Sequence, residues 1–112
     1  MKLGEKQELF AQLLPRLLDE AHRLGYRVRL KELYRPPETA KIYSGQGRGI
    51  TNSLHCFSLA LDLILFKDGE PLWDSADYEE VGEFWESIHP LARWGGRFND
   101  GCHFSLEHEG VK

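Results

Sequence analysis

The sequence is short of several things. It has only two cysteines and one methionine in 112 residues. Two cysteines are too few for a disulfide framework. Each adjoins a histidine, as His55-Cys56 and Cys102-His103. Three readings of the pair stay open at this point: small buried residues, metal ligands, or one disulfide. No stretch approaches the ~18 consecutive apolar residues that cross a bilayer, which argues against membrane insertion. The opening MKLGEKQELFAQLLPRLL has no uninterrupted apolar core of the secretory type, so the chain is expected to be made in the cytoplasm. Positive charge is in deficit, with 14 Lys and Arg against 18 Asp and Glu and a net charge of −4. That argues against a nucleic-acid partner, whose footprint is usually basic, whereas a bound divalent cation would offset part of it. Repeats and low-complexity segments are missing. The two glycine-rich stretches, SGQGRG and WGGR, do not sit between a strand and a helix with the spacing of a phosphate cradle.

What is present fits one compact domain over 1–112, with 41% hydrophobic and 29% charged residues, and a monomer is the default expectation. Residues 5–24 place Phe10, Leu13, Leu14, Leu17, Leu18, Ala21 and Leu24 at helical spacing. Pro15 is expected to kink or break that helix, and Gly25 to end it. YRVRLKEL, 26–33, reads as a strand with Val28 and Leu30 on one face. Pro36-Pro37 opens a short helix through about Tyr43, and 44–53 is a polar, glycine-rich loop. LALDLILF, 59–66, is a strand-length apolar run. A turn at Asp68-Gly69 leads to a return at Pro71-Leu72-Trp73. Residues 77–92 form a second amphipathic helix, with Val81, Phe84, Trp85 and Ile88 inward and Ser75 or Asp77 as its cap. WGGRFNDG is a loop and CHFSL, 102–106, a last strand. The order predicts an α+β class: a small antiparallel sheet flanked by helices.

SLHCFSLALD, 53–62, sets a histidine and an aspartate inside an apolar stretch. Burying a carboxylate is costly unless it is paired or bound to a metal. With His103 from the last strand, His55 and Asp62 make a sound zinc ligand set, leaving the fourth tetrahedral position to water whose pKa falls to about 7. Each residue alone also fits an ordinary hydrogen-bonded role, and spacing does not choose between the two.

Three segments carry a resemblance. SLHCFSLALDL is similar to an S-x-H-x-x-G-x-A-x-D motif, WGGRFNDGCHF to W-G-G followed by D-x-x-H-F, and YRPPETAKIYSGQGR to an upstream Y-R segment. In this order, over about 34–104, they resemble the D-alanyl-D-alanine carboxypeptidase and L-alanyl-D-glutamate endopeptidase family. Its members are zinc peptidases that cut peptidoglycan stem peptides, many of them phage endolysins. The resemblance implies a hedgehog/D-Ala-D-Ala-peptidase-like fold and a Zn2+ ion held by His55, Asp62 and His103. It also implies Asp100 as the catalytic acid–base group and Arg35 as the arginine that polarises the scissile carbonyl or anchors a carboxylate. Ser53 matches a serine that bonds substrate or supports a ligand, and Trp94 is placed to line the cleft. The partner is then a peptidoglycan stem peptide, cut at an L-Ala–D-Glu or a D-Ala–D-Ala bond. A phage or prophage endolysin, lacking a signal, would act on the wall after release.

Ser58 stands where relatives carry glycine, and a serine is strained there if the backbone needs positive φ. His22, His89 and His108 have no motif support, and Trp73, Trp85 and Trp94 read as core or pocket wall, with the cleft as a further place for Trp94. Two rival readings remain: a zinc-bearing wall- or partner-binding module without catalysis, and a small interaction domain without metal.

Overall fold

A computed structural model describes residues 1–47 and 53–112. Helix α1, Leu3–Arg23, turns Phe10, Leu13, Leu17 and Ala21 inward. These join Leu61, Leu63 and Leu65 of strand β2, Ala60–Lys67, in one apolar cluster. Pro15 does not break α1 into two helices: the helix runs through it. Its ring lies on the exposed side, where water can take over the carbonyl it leaves unbonded, and the buried face anchors both halves.

Strand β1, Arg27–Glu32, forms one edge of an antiparallel sheet. The strand order is β1, β2, β5 (His103–Leu106), β4 (Ala92–Trp94). The two-residue strand β3, Glu70–Pro71, pairs with the far end of β2. The class is α+β, as expected. Leu30 faces outward and is 59% exposed, because the edge strand has no cover on that stretch.

Helix α2 spans Pro37–Gly45, taking two residues from the expected glycine-rich loop; 48–52 of that loop lie outside the described residues. Helix α3 is shorter than its periodicity suggested. A 3₁₀ turn, Ser75–Tyr78, precedes it, and the helix itself runs only Glu79–Ser87, with neither Ser75 nor Asp77 as its cap. The tyrosine between them explains the division. Tyr78 Oη accepts from the Leu65 amide and donates to the Leu72 carbonyl, which pins the 3₁₀ turn to the β2–β3 hairpin. Trp85, fully buried, meets Phe10 and Phe104 edge-on and donates its indole N–H to the carbonyls of Arg93 and Ser105. Trp73 is neither core nor pocket wall: it is 73% exposed on the loop after β3. Ala92, expected as the end of the helix, opens β4, and the expected loop from Trp94 holds the last residue of β4 and a 3₁₀ turn, Gly95–Phe98.

Candidate metal centre

β2 alternates its faces. Leu61, Leu63 and Leu65 go to the core and Asp62 to the other side, which is how an apolar run delivers one carboxylate to a cavity. β5 pairs with β2 so that His103 stands directly opposite Asp62. His55 arrives on a separate 3₁₀ turn, Leu54–Phe57, whose first amide bonds are organised by Ser53: its Oγ accepts from the His55 N–H at 3.2 Å. The three side chains meet. His55 Nε2 lies 3.3 Å from Asp62 Oδ2, His103 Nδ1 lies 3.2 Å from Asp62 Oδ1, and one ligand atom from each falls within 4.8 Å of the others.

The donor chemistry fits a divalent cation of the zinc type. His55 Nδ1 sits 2.9 Å from the Leu33 carbonyl. A carbonyl only accepts, so Nδ1 carries a proton and Nε2 is the atom turned to Asp62, free to ligate a cation once it gives up the proton it shares with that carboxylate. Burial pushes the Asp62 carboxyl up, but the hydrogen bonds and charges of His103 and His55 outweigh it and hold the group well below the usual carboxylate range. Burial lowers His55, and Asp62 more than reverses this, so its imidazole ends above the ordinary value. These are two nitrogen donors and an ionised oxygen donor, partly desolvated, on rigid elements.

The cavity around them has a volume of about 560 Å³ and is lined by Arg35, Ser53, Phe98, Asp100 and Lys112 as well as the three ligands. Arg35 is buried, with its Nε donating to Glu32 Oε1 at 3.0 Å and its Nη2 donating to the same oxygen. Desolvation lowers its pKa, and the neighbouring Glu32, with Asp62 further off, raises it on balance. Asp100 is on the cavity wall but outside the 4.8 Å ligand cluster. Its turn is built tightly: Asn99 takes the left-handed conformation, and the Asp100 N–H donates to the Gly95 carbonyl at 2.8 Å. A Cβ on Gly95 would come within 2.2 Å of the Asp100 carbonyl oxygen and 2.7 Å of His103 Cβ. Only glycine fits between the two.

Both cysteines are free thiols. Burial, helped by the charges of Asp62 and Asp100, pushes Cys102 up to about 12. It stays a protonated thiol and donates to Asp100 Oδ1 at 3.5 Å, so of the three readings it takes neither the disulfide nor a place in the ligand cluster. Trp94 is buried away from this cavity. Its indole N–H donates to the Gly101 carbonyl, its ring fills the space left by Gly82 and Gly96, and it lines a neighbouring cavity that also holds Arg93 and Arg97. The aromatic side chain in the site is Phe98, 52% exposed, with its ring centroid 5.9 Å from that of His103. Phe98 and Glu32 were not among the residues picked from the sequence. Phe98 did lie inside the WGGRFNDG segment, between the glycine pair and the acid.

His108 stands apart, with Nδ1 3.1 Å from Lys6 Nζ and its ring tilted against Phe57. His89 accepts from the Leu91 N–H, and His22 is exposed.

The chain is similar to the crystal structure of the Serratia marcescens L-Ala D-Glu endopeptidase ChiX. The TM-score is 0.69 at 21% identity, over 87% of this chain and 79% of that one. The two share a fold. No family profile matches the sequence, and no curated protein matches it. Among the described residues, no helix is long and apolar enough to cross a membrane.

Proposed function

We propose that this chain is a zinc peptidase that cuts peptidoglycan stem peptides between L-Ala and D-Glu. The observation that carries the reading is the convergence of His55, Asp62 and His103 in a cavity that also holds Arg35 and Asp100. The fold shared with an L-Ala D-Glu endopeptidase favours that bond over D-Ala–D-Ala.

His55, Asp62 and His103 would hold the ion, which when bound would supply Lewis acidity and lower the pKa of water to about 7. The chain's own groups do the rest. Asp100 accepts the proton of the attacking water and delivers it to the departing amine of D-Glu. Arg35 donates N–H groups to the carbonyl oxygen of L-Ala as negative charge builds there. Phe98 covers the ring of His103 and offers an apolar face to the alanine methyl. Ser53 holds the turn that carries His55.

The test is digestion of purified peptidoglycan followed by mass spectrometry of the fragments. The expected products carry a new amino terminus at D-Glu, disappear with a chelator and return with zinc. Binding to the wall without release of peptides would instead favour a binding module. No zinc uptake at all would leave a metal-free interaction domain.

A further inference from the structure

Glu32 takes no part in the steps above, yet an irregularity in β1 sets its direction. The ladder is regular through Arg29 opposite Ile64 and Leu30 opposite Leu63. The next pair is Glu32 with Asp62, so Lys31 is the extra residue of a β-bulge. Residues paired across antiparallel strands share a face, and a one-residue slip exchanges the faces. In an unbroken ladder Lys31 would share the face of Asp62, setting an ammonium against the cation centre. The bulge puts a carboxylate there instead, which is the kind of re-aiming that bulges perform beside sites.

That carboxylate goes to Arg35. Oε1 of Glu32 accepts from both Nε and Nη2. The guanidinium also lies over the Tyr43 ring, 5.0 Å from its centroid. A guanidinium has five N–H donors in a rigid plane. One edge is thus held by Glu32 and one face by Tyr43, which among the described residues leaves Nη1 and the outer hydrogen of Nη2.

We propose that Glu32 is a positioning residue: it grips one edge of the Arg35 guanidinium so that the opposite edge meets an oxygen of the bound peptide. This rests on the reading of Arg35 as the group that contacts substrate. A long arginine left to choose its rotamer would spend most of its time elsewhere, and a misplacement of about 1 Å costs about 10²-fold in rate.

The test compares wild type, Glu32→Ala, Glu32→Gln and Arg35→Ala in three measurements. These are the NMR signal of the Arg35 Nε–H, the affinity of metal-free protein for N-acetyl-L-Ala–D-Glu, and kcat and KM of the zinc-loaded protein. Glu32→Ala is expected to lose the slowly exchanging Nε–H, to bind the dipeptide as poorly as Arg35→Ala, and to lose about 10²-fold in kcat/KM. Glu32→Gln, whose amide oxygen still accepts, is expected to recover most of all three, which a general loss of stability would not do. Wild-type affinity and kcat/KM in Glu32→Ala, or a Glu32→Gln as impaired as Glu32→Ala, would overturn the proposal. Wild-type protein that binds the dipeptide yet cuts no wall peptide removes the peptidase reading and leaves this comparison intact. Wild-type protein that binds no dipeptide removes both.

Discussion

The Nδ1 atom of His55 is 2.9 Å from the carbonyl oxygen of Leu33. The contact fixes the tautomer and turns the imidazole toward Asp62 before any cation arrives. On the proposed reading, a site so arranged would take up zinc without reordering its ligands. Metal-free protein is expected to bind one zinc ion by titration calorimetry. At free zinc about 100 times the dissociation constant, binding should add about 2.7 kcal/mol of stability, a rise in Tm of about 10 °C or more. His55→Ala and Asp62→Asn should abolish the rise. An unchanged Tm on adding zinc to wild type would refute the centre.

Asp100 lines the cavity without joining the ligands, so metal binding and turnover should separate there. Asp100→Ala is expected to keep zinc affinity and Tm and to lose about 10²–10⁴-fold in kcat. Undiminished turnover would remove Asp100 from the chemistry, and lost zinc affinity would make it a ligand.

Gly95 separates the Asp100 carbonyl from His103 Cβ with no room for a side chain. Gly95→Ala must move one or both, and neither is the free end of a flexible group. The expected variant is folded, with the near-UV signal of buried Trp85 retained, but with zinc affinity and kcat/KM each reduced at least about 10-fold. Normal values for both would show that the turn yields without disturbing the site.

Ser58 follows the His55 turn in the left-handed conformation, at φ 54° and ψ 38°. A side chain there costs about 1–2 kcal/mol relative to glycine, and glycine gives back about 0.5–1 kcal/mol through the freedom of the unfolded chain. Ser58→Gly is therefore expected to raise the urea midpoint by a net gain of about 0.5 kcal/mol. A fall in the midpoint would mean that the serine side chain makes a compensating contact.

The irregularities of the fold were legible nowhere in the sequence. His55, Asp62, His103, Arg35 and Asp100 were singled out by the resemblance of three segments to family motifs, since spacing alone did not choose them. The structure brings all five to one cavity. Glu32 could not be read, because its direction depends on a bulge, and a bulge is a property of two strands in register rather than of one segment. Leu30 and Trp73 misled because apolar character signals burial only where another element arrives to cover it. Pro15 misled only as to a break in the helix, since local preference was overruled by the packing of Phe10, Leu13, Leu17 and Ala21. Trp94 was placed at the cleft by its neighbourhood to the glycine pair, but the second of that pair, Gly96, together with Gly82 makes room for its ring in the interior.

β5 is threaded between β2 and β4, and it is the latest of the strands to be synthesised. His103 therefore joins a sheet whose other members already exist. Until it does, Asp62 has only His55 beside it, and a ribosome-bound or prematurely released fragment holds two of the three ligands. Assembly of the centre is in this way tied to completion of the sheet, so on the proposed peptidase reading half-made chains would carry no hydrolytic hazard for the cell that makes them.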